Sequence, residues 1–297
     1  MYSIHNREIV FSYDFDDKIN DQIINAILSN KCNTLSFECY EKKTITSHTR
    51  PSGGIRHSTS TSYYYSKFNS SLDNLPNILT KITMENCTKF NQAIDNLPTE
   101  LNTLILSYTF NKSVNKLPNK LKVLVFGEIF NQKVDNLPHS ITHLTFGNDF
   151  NQEVNNLPQN LNILILGRDF NQKVNNLPIN LKEIKFGYKF NQEVNELPYL
   201  NLIIFGHSFN QLLDMLPNSV IRIELGNSFN QAINNLPSSL RVLKFGSSFN
   251  QSVDNLPSSL ETLIFGDDFN NSIDNLPPNI TPFSVKSGTP KKRNRTH

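Results

Sequence analysis

The side chains that could bind a metal ion are few and scattered in this sequence. His139 and His143 are four residues apart, a spacing that suits two metal ligands on a helix, but Pro138 and a strand-like stretch flank them. No cysteine or carboxylate cluster accompanies them, and Cys32 and Cys39 lack the second pair of ligands that a zinc site needs. We therefore predict no metal site, and we expect both histidines at the surface.

Motifs for catalysis and phosphate binding are also missing from the sequence. It contains no Gly-x-Ser-x-Gly, no P-loop and no Gly-x-Gly-x-x-Gly. One carboxylate position recurs directly before Asn-Leu-Pro, at Asp95, Asp135, Asp254 and Asp274. A residue that recurs at the same position of many units is expected to have a structural role and not a catalytic one. We predict that the protein is not an enzyme and uses no cofactor.

The composition narrows the class of protein. The chain has 297 residues, of which 37% are hydrophobic and 18% are charged, and its net charge is +2. These values exclude a disordered polyelectrolyte and an overall basic nucleic-acid binder. Three cysteines suit a reducing compartment, and no stretch approaches the length of a signal peptide or a membrane span. We predict an intracellular, cytoplasmic protein that does not bind membranes.

A repeat organises most of the chain. The pair Phe-Asn occurs eleven times from Phe68 to Phe269, and Leu-Pro occurs eleven times in the same register. The spacing is 20 residues except for one interval of 22 and one of 19. A unit reads Phe-Asn-Gln-x-Val-x-Asn-Leu-Pro-x-x-Leu-x-x-Leu-x-Phe-Gly-x-x, as in 130–149. Because a unit this short cannot bury a core alone, we expect it to stack on its neighbours.

The pattern within a unit predicts one short strand and no long helix. Leu124 and Phe126 alternate at a period of two, as in a strand whose other residues face outward. Gly127 follows directly and suits a tight turn or a positive φ. Pro138 excludes a continuous helix in the return segment. We predict about eleven 20-residue coils, each with one short parallel strand.

Stacking would bring equal positions of successive units together. The Phe residues should form an aromatic column, and the Asn residues beside them should form a hydrogen-bonded row that satisfies backbone groups. The slot occupied by Lys133, Glu153, Lys173 and Glu193 alternates in charge and predicts a row of ion pairs.

The combination Phe-Asn-Gln, Asn-Leu-Pro and Leu-x-x-Leu-x-Phe-Gly resembles the FNIP-repeat family, known mainly from social amoebae and from giant DNA viruses. The resemblance runs from about Phe68 to Pro282. The unit is also similar to leucine-rich repeats, although Ile129 occupies the slot of their usual Asn. The resemblance implies a non-catalytic interaction module on a leucine-rich-repeat-like solenoid. Some family members carry an F-box before the repeats and resemble substrate receptors of ubiquitin ligases.

The segments that flank the repeat divide the chain into four parts: residues 1–40, 41–67, 68–285 and 286–297. In 1–40, Ile9–Tyr13 predicts a strand, Asp17–Ser29 predicts a helix capped by Asp16 or Asp17, and Leu35–Phe37 predicts a degenerate repeat strand. This order suits a small α/β cap on the solenoid, although an F-box remnant or another small domain remains an alternative.

Residues 41–67 are polar, with Pro51, Gly53 and Gly54, and they predict a flexible loop before the solenoid of 68–285. Ile280 and Phe283 indicate a last, fading strand. Residues 286–297 predict a basic disordered tail, which is either a solvated tail, a nuclear address or an RNA contact through Lys291, Lys292, Arg293 and Arg295.

The outward strand positions vary from unit to unit, and in a solenoid such positions carry specificity. Many are apolar and β-branched, which marks a partner site or only the preference of these residues for strands. The predicted binding face consists of Ile105, Val123, Val125, Ile163, Ile165, Leu202, Ile204, Arg222, Glu224 and Lys244. We predict a monomeric scaffold that binds a protein partner through this face, with a ubiquitin-ligase substrate adaptor as the alternative. Nucleic acid is not expected as a partner, apart from the basic tail.

Overall fold

The computed structural model describes residues 1–49, 55–277, 280 and 283–284, and it describes side chains outside 39–59 and 283–284. These residues form one long sheet of fourteen strands and a separate two-stranded sheet. The N-terminal elements are β1 (Tyr2–His5), β2 (Glu8–Phe11), α1 (Asp21–Ser29), β3 (Thr34–Phe37), β4 (Cys39–Thr49) and β5 (Ile55–Tyr65).

The remaining strands follow one another along the solenoid. They are β6 (Lys81–Thr83), β7 (Thr103–Ile105), β8 (Val123–Val125), β9 (His143–Thr145), β10 (Ile163–Ile165), β11 (Glu183–Lys185), β12 (Leu202–Ile204), β13 (Arg222–Glu224), β14 (Val242–Lys244), β15 (Thr262–Phe265) and β16 (Phe283–Ser284). Each strand pairs in parallel with its neighbours in chain order. The predicted solenoid is therefore confirmed.

The number of regular coils differs slightly from the eleven counted in the sequence. Nine successive strands, β7 to β15, belong to uniform coils, so the regular solenoid has about nine turns. The units at the two ends depart from this pattern. The first is 22 residues long, from Phe68 to Phe90, and β16 at the other end has only two residues.

The strands β7 to β14 are each three residues long, and in each of them only the central side chain faces the core. In β10, Leu164 is fully buried between the half-buried Ile163 and Ile165. The next inward residue, Leu166, is also buried and already begins the turn. Alternation at a period of two therefore places Leu164 and Leu166 in the core and leaves the residues between them on the surface.

The predicted aromatic column runs through the whole stack. All eleven Phe residues of the Phe-Asn pairs stack on their neighbours, with ring centroids 6.0–6.2 Å apart. Phe170, for example, is fully buried between Phe150 and Phe190. Burial of one such side chain contributes about 1.5–3 kcal/mol, and each aromatic pair adds about 0.5–1.5 kcal/mol. The column therefore couples each coil to the next.

The predicted row of asparagines is also present. From Asn69 to Asn250, the side-chain Oδ1 of each Asn accepts the backbone N–H of the Asn one coil later, at 2.9–3.0 Å. In most coils the following Gln donates to the same Asn. One side chain per coil thus satisfies the backbone of the turn, which no strand partner reaches.

The glycines that follow the strands serve a close approach and not a positive φ. None of the eight glycines from Gly127 to Gly266 has a left-handed φ. A Cβ on Gly167 would lie within 3.0 Å of the carbonyl oxygen of Gly147, and the other seven positions are equally tight. The coils therefore touch through their backbones at this turn, and no other residue leaves room for this contact.

The predicted row of ion pairs along Lys133, Glu153, Lys173 and Glu193 is wrong. None of these four side chains belongs to a salt bridge among the described residues. Glu153 accepts a hydrogen bond from Asn155 in its own coil, and Glu193 accepts one from Asn195. At exposed positions such local bonds replace an ion pair easily, because the pair itself contributes only about 0–1 kcal/mol.

The N-terminal segment covers one end of the solenoid. β2 and β3 continue the parallel sheet, and Phe15 and Phe37 pack on Phe68, the first ring of the aromatic column. The helix begins later than predicted, at Asp21. Its N-cap is Asn20 rather than Asp16 or Asp17, because the Asn20 side chain accepts the backbone N–H of Ile23.

The prediction of a loop over residues 41–67 is wrong where the structure describes the backbone. β4 and β5 form a long antiparallel hairpin whose register pairs Cys39 with Tyr65 and Thr49 with Ile55. Closely spaced threonines, isoleucines and tyrosines favour strands. Residues 286–297, predicted as a basic tail, lie outside the described residues.

Candidate protein-binding face

The first and third residues of strands β6 to β15 form one continuous surface, here called the outer face. The register aligns each of these residues with its counterpart in the next strand, so that Val123 pairs with His143 and His143 pairs with Ile163. The central residues point into the core, and the outer face is therefore two residues wide along the whole solenoid.

The structure brings all ten predicted site residues together on the outer face. The seven apolar ones, from Ile105 to Ile204, are half-buried, as is Glu224, whereas Arg222 and Lys244 are exposed. They come from six strands, β7, β8, β10, β12, β13 and β14. Their use in binding remains a prediction, because exposed residues on a strand surface do not by themselves identify a partner site.

The chemistry of the outer face changes along the solenoid. β7 and β8 present Ile105, Val123 and Val125, and β10 presents two further isoleucines. From β11 onward, charged residues alternate with apolar ones, beginning with Glu183 and Lys185. The face therefore offers a mainly apolar half, interrupted by β9, and a mixed half.

Three of the five charged residues of the mixed half are paired with one another. The guanidinium of Arg222 forms a salt bridge with the carboxylate of Glu224, and Lys244 Nζ lies 3.7 Å from Glu224 Oε2. The three residues together carry one net positive charge. At this exposure the salt bridges add little to the stability of the fold. The same side chains could therefore form ion pairs with charged residues of a partner instead.

A polar groove that the repeat pattern does not predict lies at one margin of the outer face. The groove has a volume of about 770 Å³ and lies where the chain enters β3, β6, β7 and β8. Its wall includes Lys81, Lys120 and Lys122 together with several hydroxyl and amide side chains. These residues occupy three different slots of the repeat, so only the stacking of the coils reveals that they are neighbours.

The described residues offer little for a reactive or metal centre. Within the part of the chain that the structure describes, no three His, Cys, Asp or Glu side chains form a cluster that could hold a metal ion. Burial raises the pKa of the Cys87 and Cys32 thiols, and both cysteines are buried. A raised pKa reduces the thiolate fraction, which is opposite to what a nucleophile needs. None of the described helices is long and apolar enough to cross a membrane.

Comparisons with known proteins agree with this architecture. The model of the FNIP Repeat family matches residues 90–129, 113–149, 130–156, 150–189, 193–228, 209–248, 229–268 and 249–284. A search of curated proteins found no match. Among solved structures, the chain is similar to one titled as the crystal structure of CroV588, a novel circular LRR protein structure.

The similarity to that structure has a TM-score of 0.66 at 32% sequence identity, and it covers 98% of this chain and 48% of that one. The present chain thus spans about half the length of its structural relative. The matched segments of the family model lie on the coils whose Phe column, Asn row and glycine turns are described above. The chain therefore belongs to the FNIP-repeat family.

Proposed function

We propose that the protein is a non-catalytic scaffold that binds another protein through the outer face. The observation that carries this proposal is the contrast between a constant core and a variable surface. The aromatic column repeats the same side chain eleven times, whereas the outer positions of adjacent strands change from Ile to Glu or from Leu to Arg. Side chains that do not repeat are not needed for stacking, so they can differ between coils and determine which partner protein binds.

The apolar half of the outer face is the expected centre of binding. Its side chains are half-buried, so they are already held in place by the neighbouring strands and lose little conformational freedom on binding. Interfaces commonly depend on a few apolar anchors with charged residues at the rim. Ile163 and Ile165 would be such anchors, with Arg222, Glu224 and Lys244 toward the rim.

A photo-crosslinking experiment tests this proposal. A photoreactive phenylalanine analogue placed at Ile165 should crosslink one or a few defined proteins in cells. The same analogue at Ile179, an exposed apolar residue outside the strands, serves as the matched control. Mass spectrometry would identify proteins captured from position 165 and absent from position 179.

A second arm links capture to the side chains themselves. The double variant I163S/I165S should lose the crosslink formed from Val125, because it removes the apolar anchors of β10, two strands further along the outer face, while circular dichroism stays unchanged. The variant I179S/L212S changes two exposed apolar residues outside the outer face and should retain the crosslink. Equal capture from positions 165 and 179, or equal loss in both double variants, would refute binding through the outer face.

The N-terminal segment supports a scaffold rather than an adaptor of a ubiquitin ligase. β2 and β3 extend the solenoid sheet, and the only helix among the described residues follows β2 and contributes Ile23 and Ile27 to the core. These residues serve the end of the stack, as a cap does. We accordingly propose an intracellular monomer without catalytic activity, whose oligomeric state light scattering of the purified chain would test.

A further inference from the structure

The polar groove at the margin of the outer face carries an excess of positive charge. Lys120 Nζ donates to both carboxylate oxygens of Glu100, at 2.7 and 2.6 Å, so these two charges cancel. Lys81 and Lys122 are exposed and have no ion pair or side-chain hydrogen bond within the described part of the chain. Two unpaired ammonium groups therefore border the same groove.

Hydrogen-bond donors accompany these cations. Asn102 accepts the Thr103 hydroxyl through Oδ1 at 3.4 Å, which leaves its amide N–H groups free to donate into the groove. Asn119 also lines the groove and has no partner of its own among the described residues. Ammonium and amide donors around one opening are the groups that bind carboxylates and phosphates.

The groove opens directly onto the apolar half of the outer face. Thr103 lines the groove and is the register partner of Val123, and the same pair of strands places Ile105 next to Val125. A ligand that reaches from the groove across these strands would therefore meet donors first and apolar side chains next. We propose that the groove binds an acidic segment of the partner protein, which carries apolar residues next to the acidic ones in either chain direction.

A nucleic-acid backbone fits this surface less well than an acidic peptide does. Phosphates follow one another along a nucleic-acid strand, so their binding needs a continuous row of cations. In the slot of Lys122, the next two coils carry the uncharged residues Thr142 and Asn162. The positive charge is thus local, and its apolar border suits a peptide.

This proposal rests on the proposed function, because it names the chemistry of the partner that the outer face would hold. Its test uses peptide pools on the immobilised full chain. One pool contains Asp-Glu-Asp and Val-x-Ile in either order among random residues, and a second contains a phosphoserine in place of the acidic triplet. A third pool contains Asn-Gln-Asn in place of the triplet, and a fourth contains the acidic triplet with Ser-x-Ser in place of Val-x-Ile. A single-stranded DNA of similar charge is the competing probe.

The acidic and phosphorylated pools should be retained about tenfold more than the neutral pool. The neutral peptides cannot form charge-assisted hydrogen bonds with the two lysine side chains. The acidic pool with serines should be retained less than the pool with Val and Ile. K81A/K122A should abolish the preference for acid, and K81R/K122R should keep most of it. K112A/K133A, which removes two exposed lysines outside the groove, should behave as the unmodified chain.

Equal retention of the acidic and neutral pools would overturn the proposal, as would an equal loss in K112A/K133A. Stronger retention of the DNA through Lys81 and Lys122 would assign the groove to nucleic acid instead. If K81A/K122A fails to fold, competition on the unmodified chain decides, because inorganic phosphate should release the acidic pool better than chloride of the same ionic strength. None of these arms involves Ile163 or Ile165, so this proposal and the proposed function can fail separately.

Discussion

The asparagine row predicts a specific difference between an alanine and an isosteric aspartate substitution at Asn131. Oδ1 of Asn131 accepts the backbone N–H of Asn151 at 3.0 Å and Nε2 of Gln152 at 3.0 Å, and both bonds are partly buried. The side-chain amide nitrogen of Asn131 donates no hydrogen bond among the described residues. Replacement by alanine therefore removes two acceptor contacts, whereas replacement by aspartate keeps both.

The expected cost follows from these two contacts. A hydrogen bond contributes about 0.5–1.5 kcal/mol to stability, and a partly buried N–H left without a partner is costly. Asn131→Ala should therefore lower the free energy of unfolding by about 2 kcal/mol. Asn131→Asp should change it by less than about 0.5 kcal/mol, as surface substitutions usually do. The bond from the Asn131 backbone to Asn111 is retained in both variants.

Urea unfolding followed by circular dichroism would measure the loss of stability. Hydrogen exchange adds a local measurement, because the coils of a solenoid open partly independently. The Asn151 amide should exchange faster in N131A than in N131D, while the Asn111 amide should be little affected. Equal stability of the two variants, or an unchanged rate at Asn151, would refute the view that this row holds the coils together.

Two further predictions concern the backbone contact at the turns and the buried thiols. Gly167→Ala should destabilise the protein by about 3 kcal/mol, because the new Cβ meets the Gly147 carbonyl and forces two coils apart. Urea unfolding would measure this loss, with Ser248→Ala as a control, and a change as small as that of the control would contradict the close approach. In a Cys39→Ser chain, the buried Cys32 and Cys87 should react slowly with a thiol reagent at mildly alkaline pH, because their raised pKa and burial leave little accessible thiolate. Labelling should become fast in urea, and equally fast labelling of the folded chain would show that these thiols are accessible.

The interior of the solenoid was predictable because every unit solves the same packing problem. Eleven Phe-Asn pairs in one register leave no arrangement but a stack that places like residues together. The alternation of Leu124 and Phe126 was enough to predict which strand residues face outward. The ten predicted residues of the outer face consequently lie where the repeat placed them.

Other features were not predictable from the pattern. The hairpin of β4 and β5 lies in a polar stretch that follows no repeat, so hydrophobic periodicity carries no information about it. The charges of Lys133, Glu153, Lys173 and Glu193 alternate as an ion-pair row would. Their side chains are exposed, however, and local hydrogen bonds compete on equal terms with ion pairs.

Residue types and their spacing specify the length of the coil, its single strand, the aromatic column and the asparagine row, because each depends only on equal residues meeting at equal positions. The need for glycine at position 167 becomes visible only in the folded chain, since it depends on how closely the backbones of two coils approach. The folded chain also shows that Lys81 and Lys122 border one groove. The distance between the two lysines depends on where each position of the unit lies around the coil. The period of the repeat does not specify that arrangement.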